Sequence, residues 1–134
     1  MSNAQSGELF SLRAPAATET TRIPVVLLDA AGDPVTGEAW NAAGMSITIA
    51  KQGASTFTAF PSFATTNWDE IGYGNYDILL VGAQADEAAL LDTEGHLRVY
   101  VKTTATRGDT FLFKVNTQDV LRQTEMEMRV AAAQ

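Results

Sequence analysis

At 134 residues with no cysteine and a formal net charge of −7, the chain has the size of one ordinary domain, long enough to bury a core without disulfide or metal staples. The missing cysteines exclude a disulfide framework, an iron–sulfur cluster, a thiolate zinc site and a cysteine nucleophile. The acidic balance argues against nucleic-acid and anionic-membrane partners, because those need clustered Lys and Arg, and here they are scattered.

Residues 1–8 are small and polar, without the basic and apolar runs of a secretory leader, and no later run is long enough to span a bilayer. A protein made in the cytoplasm is therefore expected. Leu9 to Arg13 reads as a short first strand, and Ala14 to Thr20 as a connector rich in Pro, Ala and Thr. Arg22 to Leu28 reads as a strand in which Pro24, lacking an N–H, requires an edge or a strand start. Asp29 to Gly37 is dense in turn formers and predicts the joint of a hairpin.

Met45 to Lys51 has a period of two, which points Met45, Ile47 and Ile49 inward and Ser46, Thr48 and Ala50 outward. Gln52 and Gly53 turn it. A strand over Thr56 to Phe60 and a loop over Pro61 to Asn67 follow. Gly72 and Gly74 then supply a turn before a strand in which Tyr76, Ile78 and Leu80 share one face. Ala83 to Leu91 holds good helix formers and predicts one or two helical turns crossing between strands.

The cleanest alternation is Gly95 to Lys102, with Leu97, Val99 and Val101 on the buried face and His96, Arg98, Tyr100 and Lys102 on the other. Thr103 to Thr110 is a hairpin turn leading to a last strand that ends at Val115. Arg107, Gly108 and Asp109 also spell a cell-adhesion tripeptide, but Gly-Asp between two alternating strands favours the turn. Past Val115 the period changes. Asn116 or Thr117 suits an N-cap, Asp119 suits the first turn, and Thr117, Leu121, Thr124, Met128 and Ala131 recur at steps of four and three. A helix of about four turns over 116–133 is expected, with a narrow stripe suited to meeting copies or a neighbouring subunit.

Little in the chain points to chemistry. His96 is the only histidine, and acid–base or metal work needs a second converging group. No activated serine motif and no phosphate-cradling loop occurs. Seven carboxylates between Asp69 and Glu94, with no Lys or Arg among them, read as a solvated face, with a calcium site as the sharper alternative that lacks the required loop spacing. Trp40, Phe57, Phe60, Phe63, Trp68, Tyr73 and Tyr76 either form a stacking platform for sugar rings or, as Phe57, Trp68 and Tyr76 suggest, fill the core; the second is favoured. No catalytic residue, cofactor or metal is expected.

From about Ala39 to Val115 the chain resembles a β-sandwich domain common in virion proteins of tailed bacteriophages. The resemblance is carried by Ile47 to Gly53, by Glu70 to Tyr76 leading into Asp77 to Leu80, by the acidic crossing segment, and by Gly95 to Val99 before a strand ending Phe113-Lys114-Val115. Leu28 to Gly37 is similar to the first hairpin of many immunoglobulin-like adhesion domains. The resemblance implies a mainly β, immunoglobulin-like antiparallel β-sandwich with a C-terminal helix, divided as 1–21 arm and connector, 22–115 sandwich and 116–134 helical extension. It implies a non-enzymatic virion protein that connects or anchors tail, collar or fibre components, a homo-oligomer whose partners are other virion proteins. Leu9, Phe10 and Leu12 of the arm and Leu121, Thr124 and Met128 of the helix are the expected contacts. A capsid decoration protein and a carbohydrate-binding module for host glycans are the alternatives.

Overall fold

Alternation of buried and exposed side chains decides the two central strands of a computed structural model that describes residues 10–117. In β6 (Asn75–Val81), Tyr76, Ile78 and Leu80 are each fully buried. In β7 (Gly95–Lys102), Leu97, Val99 and Val101 are buried while His96 and Arg98 are exposed, as the period predicts. Around these two strands the chain builds two sheets.

The larger sheet has the order β1-β8-β7-β3-β4, formed by β1 (Ser11–Leu12), β8 (Asp109–Val115), β7, β3 (Ser46–Ala50) and β4 (Thr58–Ala59). The smaller has the order β2-β6-β5, with β2 (Thr20–Val26) and β5 (Trp68–Gly72) flanking β6. All pairings are antiparallel except β1 with β8, where Ser11 faces Lys114 and Leu12 faces Val115 in parallel. Ile23, Val25, Tyr76, Ile78 and Leu80 from the small sheet meet Ile47, Ile49, Leu97, Val99, Val101, Phe113 and Val115 from the large one. Packing two apolar faces removes both from water, which is why neither sheet needs a further layer.

Two junctions depart from the sequence reading, and a third, the hairpin loop between the last two strands, is where it was expected. Asp29 Oδ1 accepts from the amides of Ala31 and Asp33, and the segment closes through one bridge, Leu28 with Pro34. It does not join neighbouring strands, because β2 and β3 lie in different sheets. Trp68 to Gly72, not foreseen as a strand, pairs with β6 through a register shift between Glu70 and Gly72, and such a bulge erases the period that would have revealed it. Tyr73 and Gly74 close this hairpin with φ of 57° and 83°, the two positive values that a two-residue turn of matching twist requires. The loop from β7 to β8 spans Thr103 to Gly108, with only Asp109 of the tripeptide entering the strand.

The crossing from β6 to β7 carries α1 (Ala85–Ala88) and a 3-10 turn over Ala89–Leu91, the helical insertion expected there. Leu90 and Leu91 are buried and cap one end of the core. Pro24 sits in β2, at the edge of the small sheet, where a missing N–H leaves no ladder bond unmade. The sandwich begins before residue 22, since β1 belongs to the large sheet and Leu12 is 3% exposed. Leu9 and the terminal helix expected over 116–133, with Leu121, Thr124 and Met128, lie outside the described residues. Asn116 and Thr117 are described, and neither is helical.

Candidate functional site

The two described contact residues expected of the arm, Phe10 and Leu12, differ in burial. Leu12 is packed into the core of its own sandwich, so it offers no surface to a neighbour, whereas Phe10 is 56% exposed and sets its ring edge-on against Phe113 at 6.3 Å. The amide of Lys114 donates to Phe10 O and that of Asn116 to Leu12 O, which fixes the arm on β8.

The aromatic residues run mostly inward. Trp68 stacks on Tyr76 with centroids 4.9 Å apart, and Phe63 bridges Trp68 to the buried Phe60 edge-on. The polar tips are spoken for: Trp68 Nε1 donates to Glu38 O, and the Tyr76 hydroxyl donates to Val35 O and accepts from Glu38 N. Burial pushes the Tyr76 phenol above its ordinary pKa. Trp68 and Tyr76 thus belong to the core, but Phe57 does not: it is 43% exposed and lies edge-on to Tyr100 on the outside of the large sheet.

That outer surface has a distinct charge. Alternation sends His96, Arg98, Tyr100 and Lys102 of β7 and Thr110, Leu112 and Lys114 of β8 to the same side, with His96 opposite Lys114 and Arg98 opposite Leu112. Of the seven Lys and Arg in residues 10–117, four make ion pairs with carboxylates: Arg13 with Glu19, Arg22 with Asp69 and Asp77, Lys51 with Asp92, and Arg107 with Asp109. Among the described residues Arg98, Lys102 and Lys114 have no carboxylate partner, and all three lie on this face, with the Lys102 ammonium donating to Thr106 O. Leu112, 41% exposed, lies among them. The sequence pattern holds this face in plain view, because every second residue of β7 and β8 reaches it, but only the ion-pair geometry reveals that its cations are the unpaired ones.

The acidic tract is not simply a solvated face. Asp69 and Asp77 clamp Arg22 on the outside of the small sheet, and both raise its pKa through hydrogen bonds. Hydrogen bonds from Lys51 and Thr93 hold Asp92 below the usual carboxylate range. Glu70 accepts from the amide of Gly37, and Glu94 accepts from the Thr117 hydroxyl. Glu87 is 5% exposed, and its Oε1 accepts from Val81 N at 2.7 Å and from Asn67 Nδ2 at 2.9 Å. Among the described residues no group of three or more His, Cys, Asp and Glu side chains is placed to hold a metal ion.

His96 lies on the exposed face, where its backbone amide donates to Gln52 Oε1. A His96→Ala variant is expected to keep its unfolding free energy within about 0.5 kcal/mol of the parent, as exposed positions without special contacts do. Chemical denaturation checks this, and a larger loss would mean that the imidazole carries an interaction of its own. Arg107 folds onto Asp109 with Nε 3.1 Å from both carboxylate oxygens, and its amide donates to Leu28 O. The tripeptide is thus tied into the sandwich at both the side chain and the backbone.

No protein-family model matches the chain, and no curated protein matches it in sequence. Among solved structures it is similar to the crystal structure of the ZIG-8-RIG-5 IG1-IG1 heterodimer in its monoclinic form, at 11% identity over 87% of this chain and 90% of that one, with a TM-score of 0.36. The class defined by the strand pairings themselves is a mainly β, two-sheet sandwich with one short helical crossing among the described residues.

Proposed function

We propose that this chain is a non-enzymatic structural protein of a virion, an immunoglobulin-like sandwich that connects or anchors tail or fibre components by binding copies of itself and other virion proteins. The observation that carries this reading is the outer face of the large sheet. On a chain of net charge −7, its three cations without carboxylate partners among the described residues, Arg98, Lys102 and Lys114, share a face with the exposed Leu112 and Phe57. A cationic face with apolar residues at its centre suits an acidic protein surface, because like-charged surfaces are repelled and the apolar area rewards close contact. Acidic surface of that kind exists on the same chain, where Asp69 and Asp77 share a single Arg22.

Charge reversal tests the reading. Arg98→Glu combined with Lys114→Glu is expected to leave the sandwich folded, since both side chains are exposed, and to weaken self-association or attachment to the particle by at least about tenfold. Multi-angle light scattering at low and high ionic strength reads the first, and incorporation into assembled particles reads the second. Assembly indifferent to the reversal would sink the proposal. A capsid decoration protein would use the same face and differs only in its location on the particle. A carbohydrate-binding module would have to rest on Trp40, Phe57 and Tyr73, as Trp68 and Tyr76 are turned into the core.

A further inference from the structure

Where the 3-10 turn Thr65–Asn67 approaches the end of β6 and the start of α1, the surface opens into a cavity of about 360 Å³. Ser62, Thr66, Asn67, Gln84, Asp86 and Glu87 supply its polar lining, and no cationic side chain among the described residues lines it. Glu87 is the unusual member. It is nineteen-twentieths buried, yet no Lys or Arg among the described residues pairs with it. Its Oε1 accepts from two donors, Val81 N and Asn67 Nδ2, while Oε2 has no partner among the described residues. Among the described residues no fully enclosed side-chain nitrogen or oxygen lacks a hydrogen bond, so Oε2 opens onto space, and the cavity is the space that Glu87 lines.

We propose that this cavity binds a primary ammonium or guanidinium group carried on an aliphatic stem, with Glu87 Oε2 as its counter-ion. A carboxylate taken out of water is costly unless a cation pairs with it, and this one has its second oxygen free for that purpose. Asp86 at the rim adds negative potential, and the side chains of Gln84 and Thr66 offer further acceptors for N–H groups. A bound metal ion fits less well, since hard cations take six or more oxygens, usually several of them from carboxylates, and no such group is assembled here. The cation has two possible sources, a lysine or arginine side chain of a neighbouring protein and a free polyamine. This assignment goes beyond the structural reading and does not rest on it.

The test is an NMR titration of the full chain, labelled with nitrogen-15, with n-butylammonium and with ethylguanidinium against sodium chloride at equal ionic strength. Saturable shifts are expected at the Val81 and Glu87 amides and the Asn67 side-chain amide. Shifts that merely follow the salt control would overturn the proposal without any variant. Glu87→Gln keeps an acceptor oxygen for Val81 and Asn67 and removes only the charge, so it should fold and bind both probes at least about tenfold more weakly. Equal binding by that variant would also overturn the proposal. Spermidine and N-acetyl-lysine methylamide then separate the sources: tighter binding of the first assigns the site to free polyamines, and of the second to a side chain.

Discussion

Gly82→Ala is expected to lower the unfolding free energy by about 3 kcal/mol, an overpacking penalty at the upper end of the usual range. Gly82 follows directly on β6, and its amide donates to Glu19 O at 2.8 Å. A Cβ at this position would run into the carbonyl of Ala16 and press on Glu19 O. Neither obstacle is the far end of a flexible side chain. Ala16 and Glu19 belong to a turn closed by Glu19 N on Ala16 O and by Ala16 N on the Glu19 carboxylate. The turn must therefore move as a body, and with it the start of β2, where Thr20 pairs with Val81. Urea unfolding measures the effect as a lower midpoint at unchanged slope. An unshifted midpoint would mean that the connector yields freely.

The second large effect is expected at Asn67, 1% exposed, which accepts from Ala64 N and donates to Leu79 O and Glu87 Oε1. Asn67→Ala strands a backbone amide, a strand carbonyl and part of a buried carboxylate, and should cost about 3 kcal/mol. Glu87→Ala should cost about 2 kcal/mol by leaving Val81 N without its acceptor. Since the two residues serve each other, the double variant should lose less than the sum by about 1 kcal/mol. Denaturation of the four proteins in this cycle gives that coupling directly. Strict additivity would mean that the turn, β6 and α1 are held independently.

The strands with regular alternation were legible in the sequence because burial there follows the backbone period alone. Leu97, Val99 and Val101, like Tyr76, Ile78 and Leu80, need no knowledge of the partner strand to be placed inward. β5 was not legible: Trp68, Asp69, Glu70 and Ile71 run two half-buried and then two exposed, the mark of a bulged edge. Phe57 and Phe60 are equally aromatic and three residues apart, yet only Phe60 reaches the core, and nothing local distinguishes them. The Glu87 cavity was hidden for another reason. In Ala85-Asp86-Glu87-Ala88 either acid has the same claim to face inward, and the donor that selects Glu87 is an amide twenty residues earlier in the chain. Likewise the cations of β7 and β8 are visible as a row, but their lack of carboxylate partners is a long-range fact.

The four margins of the two sheets have a shared consequence for how such a molecule behaves at high local concentration. One margin is closed by Ser11–Leu12, and the opposite margin of that sheet is only Thr58–Ala59; the small sheet ends in a strand containing Pro24 and in one interrupted between Glu70 and Gly72. None offers a long, straight row of unsatisfied amides and carbonyls to a second chain. Runaway strand addition, the common route from a sandwich to a fibril, is thereby blocked at every border, so crowding many copies together favours contact through side chains, which mutation can tune, over irreversible fusion of backbones.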